Sequence, residues 1–171
     1  MSPALGWLVA LATCYPWLLA ADLLSDLTAP WHVSVGLLGA VLVTPFLRLR
    51  TWQAVLLAAC VGLAFESRRP VQPGWAALAL ALLSVLAVTW RDRLRSKPAW
   101  LAPATLNILA CAFACPASLP VSHTWEWAQW TYALPVHLLV AGAAAAALHR
   151  PIQAFQSHLL DRWGLPEVRE P

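Results

Sequence analysis

The short stretch Glu66-Ser67-Arg68-Arg69-Pro70 separates two apolar segments and carries three ionisable side chains. Glu66 can be capped or paired by Arg68 or Arg69, and such a pair contributes more when it is shielded from water than when it is exposed. A guanidinium also binds carboxylates and phosphates through two parallel hydrogen bonds. The stretch therefore predicts a binding site for a partner's carboxylate or a lipid phosphate, with Glu66, Arg68 and Arg69 as its candidate residues.

Four polar residues near or inside apolar segments are further candidates. Asp22 and Asp26 are four apart, which suits a divalent ion or acid–base catalysis, but we favour a solvated helix end because the short loops offer few converging ligands. His137 follows Pro135 and can donate to a carbonyl that the proline frees, while a proton-relay or ligand role is its alternative. For His137 and for Asn107 we favour structural hydrogen bonds between helices.

The residue patterns of common enzymes are absent from the sequence. There is no Ser/His/Asp order, no glycine-rich phosphate loop and no Cys-x-x-Cys pair. The four cysteines lie in apolar runs, so we interpret them as buried small hydrophobes rather than as disulfides or metal ligands. We therefore predict a protein that is not an enzyme and that has no cofactor and no metal site.

The composition indicates a protein that is embedded in a lipid bilayer. Of the 171 residues, 60% are hydrophobic and only 11% are charged, whereas soluble domains carry about 25% charged residues. No hydrophilic block is long enough to fold separately, which predicts one membrane domain. The net charge of +3 is spread over short turns, so it does not indicate nucleic-acid binding.

Six apolar segments predict an all-α integral membrane protein with six transmembrane helices. A full span needs about 17–25 residues, so the second and third segments are short. Three arrangements are open to them: added length from flanking residues, local thinning of the bilayer, or packing as a shielded helical hairpin. Together the segments form a predicted membrane domain over residues 1–150. They lie at about residues 5–21, 33–47, 52–65, 74–90, 99–119 and 131–149.

The distribution of basic residues predicts the orientation. The turns after the second and fourth segments and the tail carry nine Lys or Arg residues, and the other turns carry only Arg68 and Arg69. The positive-inside rule then places both termini in the cytoplasm. Tryptophans cluster at the predicted segment ends, where their rings favour the membrane interface.

Residues 151–171 predict a short cytoplasmic tail helix that Pro151 opens and Gly164 closes. Its apolar side suits a helix that lies on the membrane surface, or one that packs against the inner turns. The predicted apolar side holds Ile152, Phe155, Leu159, Leu160 and Trp163, and the predicted polar side holds Gln153, Gln156, Ser157 and Asp161.

Small residues predict where helices approach each other closely. Gly36, Ala40 and Thr44 repeat along the second segment, and Ala58 and Gly62 do so along the third. Gly142 and the run Ala143–Ala147 make the sixth segment smooth on nearly all sides. Internal packing is the favoured interpretation. The alternative is a docking face for a partner helix, for which the sixth segment with Gly142 is the best candidate.

The pattern between residues 33 and 95 resembles the bacterial rod shape-determining protein MreD family. It combines a hairpin with a basic turn, a Gly-Leu-x-x-acidic segment, a proline–glycine turn and an apolar run that ends in charged residues. These parts are Arg48-Leu49-Arg50, Gly62-Leu63-x-x-Glu66-Ser67, Pro73-Gly74 and Trp90-Arg91-Asp92-Arg93. Glu66 stands where the family has an aspartate and Gly74 where it has a turn glycine, whereas Arg68 and Arg69 are not part of the family pattern.

The resemblance implies a non-enzymatic scaffold of the elongasome, the machinery that elongates the cell and sets its rod shape. Such a protein binds the single-span protein MreC. It helps couple cytoplasmic MreB filaments to peptidoglycan synthesis by RodA and its transpeptidase partner. It contacts membrane lipid and no nucleic acid.

An alternative is a small-solute-binding membrane subunit similar to the substrate-binding components of vitamin transporters. This alternative predicts a cavity lined by His137, Asn107 and tryptophans of the outer loops.

Overall fold

The computed structural model describes residues 3–28, 35–67, 74–96, 98–114 and 127–164. Within these ranges every regular element is an α-helix, which confirms the all-α class. The helices are α1 (Pro3–Thr28), α2 (Leu38–Arg48), α3 (Thr51–Glu66), α4 (Trp75–Thr89), α5 (Arg91–Arg95), α6 (Leu101–Ala114) and α7 (Trp127–Arg162).

Each predicted apolar segment overlaps with one of the six longer helices, but the boundaries differ. Helix α1 continues to Thr28, so that Asp22 and Asp26 lie on its last turns. Helix α2 begins later than its segment, at Leu38. The short helix α5 lies in the basic turn after the fourth segment, where we expected no helix, and two of its arginines, Arg91 and Arg95, bond to the end of α2.

Two helical stretches, Gly6–Thr28 and Leu134–Arg162, are long and apolar enough to cross a membrane. In their most apolar parts only 28% and 22% of the residues are buried, unlike the mostly buried core helix of a soluble protein. The other four apolar helices have between 11 and 16 residues, which is short for a full span. Two candidate spans are therefore present, and six crossings stay a prediction.

The sixth segment and the tail form one helix, which corrects the prediction of a separate tail helix. Helix α7 runs through Pro151 to Arg162, so Pro151 does not open it. A proline costs a helix one hydrogen bond, and here the burial of Ile152 and Leu160 against the core compensates for that loss. The left-handed backbone of Gly164 (φ 69°) follows the end of the helix as predicted.

Helix α2 lies at the centre of the bundle, and all of its residues except Leu47 are buried. It packs against α6, α7, α1, α3 and α4, while α3 and α4 form a close hairpin. At Gly39 a Cβ would overlap the backbone of Leu106 in α6, and at Gly62 it would overlap the backbone of Ala77 in α4. Close backbone contact of this kind lets dispersion hold helices together in lipid.

Candidate functional site

The carboxylate of Glu66 is bound to the start of the next helix in the chain. Its Oε2 accepts a hydrogen bond from the backbone N–H of Gly74 (2.7 Å), and its Oε1 accepts from Ala76 and from Ala77 (3.3 Å). The side chain is buried. A carboxylate in this position satisfies amides that an α-helix leaves free and complements the positive end of the helix dipole. Glu66 therefore fastens α3 to α4.

Gly74 provides the backbone geometry that this cap requires. Its φ of 89° lies in the left-handed region, which glycine adopts without steric cost. A Cβ at Gly74 would meet no atom within 4 Å, so the conformation rather than the space favours glycine here. Arg68 and Arg69 lie outside the described residues, so their pairing with Glu66 and their role in partner binding stay predictions.

Two arginines of α5 close the opposite end of the bundle. Arg91 Nη2 donates to the carbonyl of Phe46 (2.8 Å) and to that of Leu49 (2.6 Å), and Arg95 Nη2 donates to the carbonyl of Leu47 (3.3 Å). These carbonyls belong to the last turn of α2 and the residue after it, where a helix lacks its own donors. The guanidiniums thus cap α2 and complement the negative end of its dipole.

Arg48 connects the same end of α2 to α7. Its Nη1 forms an ion pair with Oδ1 of Asp161. The arginine is buried, but the aspartate side chain is 61% exposed, so water screens the pair and its direct contribution to stability is small. From the sequence we assigned Arg48, Arg91 and Arg95 to orientation only. Their position directly after apolar segments was the available signal for a capping role.

Asn107 joins three helices through four hydrogen bonds. Its Oδ1 accepts from the backbone N–H groups of Gly39 (3.0 Å) and Ala40 (3.3 Å) at the start of α2. Its Nδ2 donates to the carbonyls of Gly36 (2.7 Å) and of Ala141 in α7 (2.8 Å). The amide of this fully buried side chain is saturated, which confirms the structural interpretation and leaves no group of it for a solute.

Gln156 lies in the core, which corrects its predicted place on the polar side of the tail. Pro45 has no N–H, so the carbonyl of Val41 lacks its helical donor. Gln156 Nε2 donates to this carbonyl (2.8 Å), and the thiol of Cys14 lies 3.5 Å from it. The side chains of Gln156 and Cys14 and the carbonyl of Val41 thus join α7, α1 and α2 inside the bundle.

The predicted site residues that the structure describes do not converge on one place. Glu66 and Gly74 meet at the α3–α4 turn, whereas His137 and Gly142 lie on α7. His137 is partly buried, and Gly142 is buried against Ile108 of α6, where a Cβ would lie 2.8 Å from Cδ1. Within the described ranges no group of three or more His, Cys, Asp or Glu side chains is placed to hold a metal ion.

One face of α7 is not covered by the other described helices. Val136, Leu139, Ala143 and Ala147 follow each other at helical spacing and are all exposed, Leu139 to 71%. Three and four residues apart, these positions form one continuous stripe along the helix. We call this stripe the α7 face. It is apolar and contains two alanines, so another helix can approach its backbone closely.

The chain matches no protein-family model, no curated protein and no solved structure.

Proposed function

We propose that this protein is a multi-pass scaffold of the bacterial inner membrane that is similar to MreD. Its task in this proposal is to hold a single-span, MreC-like partner within the elongasome. The observation that carries the proposal is the use of the buried polar groups. Glu66, Arg91, Asn107 and Gln156 each form hydrogen bonds to backbone groups of other helices or of the turns beside them. In this arrangement the buried polar groups hold the bundle together.

The outer surface of the bundle supports the membrane location. Large apolar side chains are exposed on α1, α4 and α7, among them Leu27 (70%), Leu82 (64%) and Leu139 (71%). A soluble monomer rarely exposes contiguous apolar surface of this extent. Trp52, Trp90 and Trp100 are half-exposed at helix ends, as expected for rings at a membrane interface. Six crossings, cytoplasmic termini and the inner membrane belong to the proposal.

The partner in this proposal docks on the α7 face. In lipid there is no hydrophobic drive between helices, so a partner helix needs a smooth surface that gains dispersion contacts. The α7 face offers this surface, whereas Gly142 is already covered by α6. The MreC-like partner would then connect the scaffold to RodA and its transpeptidase. The scaffold would be linked to the MreB filaments on the cytoplasmic side only indirectly.

A bulky side chain on the α7 face is expected to release the partner. We expect Ala143→Trp to reduce co-purification of a single-span partner from native membranes by about tenfold, because the indole keeps the two backbones apart. Quantitative mass spectrometry of the tagged protein's detergent extract measures the yield. The matched control is Leu82→Trp, which changes a likewise exposed position on α4 and is expected to leave the yield unchanged.

Equal partner yields for Ala143→Trp and the unchanged protein would contradict docking on the α7 face. An extract that contains no single-span partner but does contain a bound small molecule would overturn the scaffold and favour the solute-binding alternative. That alternative has less support, because Asn107, one of its expected ligands, is saturated by backbone groups.

A further inference from the structure

A cavity of about 320 Å³ opens between α4, α5 and α6, a volume at the lower end of the range for small-molecule sites. Its wall is mainly apolar. Leu86 on α4 and Leu106 and Leu109 on α6 contribute to this wall, and Thr105 lies along it. The Thr105 hydroxyl donates to the carbonyl of Leu101 in its own helix, so that it does not offer its proton to a ligand. The cavity is therefore suited to a hydrocarbon chain.

Positive charge lies at one end of this cavity. Arg93 of α5 lines it, and among the described residues the Arg93 guanidinium has no hydrogen bond or ion pair, in contrast to Arg91 and Arg95. The first residues of α6, from Leu101, line the same cavity and bring the positive end of that helix dipole with them. Trp90 lies beside Arg93 and is half-exposed, which suits the interface between headgroups and chains.

We infer that this cavity binds one anionic phospholipid, with an acyl chain along the leucines of α4 and α6 and the headgroup phosphate on Arg93. An apolar wall next to a guanidinium that pairs with no described residue complements both parts of such a lipid. A free anion would leave the leucine wall in water, and a zwitterionic lipid would place a second cation beside Arg93. The inference rests on the proposed membrane location, but it does not require the protein partner.

The test is native mass spectrometry of the purified full-length protein in detergent, titrated with phosphatidylglycerol or phosphatidylcholine. We expect one retained phosphatidylglycerol and at least about fivefold weaker binding of phosphatidylcholine, the preference that one arginine near an anionic headgroup provides. Arg93→Ala is expected to remove the preference. Thr105→Trp, which fills the cavity and leaves the charge in place, is expected to weaken both lipids. Arg162→Ala, an exposed arginine at the end of α7, is the matched control and is expected to change neither.

Equal binding of the two lipids, or equal effects of Arg93→Ala and Arg162→Ala, would overturn the inference. Displacement of phosphatidylglycerol by inorganic phosphate would show a site for a free anion instead and would overturn it as well. This lipid-binding test is independent of the scaffold proposal, because the scaffold proposal is tested by the yield of the co-purified partner. Failure of the membrane location would also be distinct, because the protein would then stay dispersed in buffer without detergent.

Discussion

Gly39→Leu is expected to prevent the bundle from closing. The Cβ alone would overlap the backbone of Leu106, and backbone cannot yield as a flexible side chain can. Helices α2 and α6 must therefore separate, and Asn107 then loses the amides of Gly39 and Ala40. We expect a loss of about 3 kcal/mol or more in the free energy of unfolding, which corresponds to a thermal midpoint about 10 °C lower.

Thermal unfolding in detergent, followed by tryptophan fluorescence, measures this effect. Gly142→Ala is the matched control, since its Cβ would meet only the end of the Ile108 side chain at 2.8 Å. That end can rotate away, so we expect a shift of only a few degrees. An unchanged midpoint for Gly39→Leu would mean that α2 and α6 do not touch at this position.

Glu66→Leu is expected to have the second largest effect. The substitution leaves the backbone N–H groups of Gly74, Ala76 and Ala77 without an acceptor and removes a negative charge from the start of α4. Hydrogen bonds to a charged group are each worth about 1.5–3 kcal/mol, although water at the exposed turn will recover part of this. We expect the free energy of unfolding to fall by about 2 kcal/mol, measured in the same thermal assay.

Glu66→Gln and Ser67→Ala separate the causes of this effect. The glutamine keeps one acceptor, so we expect about half the loss. Ser67 is exposed, and its hydroxyl bonds only to the carbonyl of Ala64, so its removal is expected to be neutral. Partner binding must be scored on the same proteins. If Glu66→Leu lost the partner and kept its full thermal stability, the residue would be a partner contact rather than a cap.

The helices were predictable because their signal is local. A run of apolar residues between charged turns forms a helix wherever lipid or a core can cover it, and each of the six runs contains one. Gly62 could be foreseen as a packing glycine from its spacing with Ala58. The expected boundary at Pro151 failed because α7 packs on both sides of the proline, and contacts distant in the sequence compensate for the lost hydrogen bond.

The partners of Asn107, Gln156 and Arg91 were not predictable, since these contacts join residues far apart in the chain. Gln156 has the sequence context of a solvated tail residue. It lies in the core because it donates to the carbonyl of Val41, 115 positions earlier in the chain, which Pro45 leaves without its helical donor. Arg91 likewise caps a helix that ends more than 40 residues earlier. A sequence shows which residues can form hydrogen bonds, but the packing of the helices decides which backbone groups need them.

The position of the α3–α4 turn relative to the membrane tests the central claim most directly. Alkaline phosphatase, which is active only outside the cytoplasm, is fused after Pro70 and, in a second protein, after Lys97. A multi-pass scaffold with cytoplasmic termini predicts an active enzyme at Pro70 and an inactive one at Lys97. A second reporter, one that is active only in the cytoplasm, is fused at the same position. An inactive phosphatase together with an active cytoplasmic reporter at Pro70 would contradict the account, because the first three apolar helices would then not place this turn outside the cytoplasm.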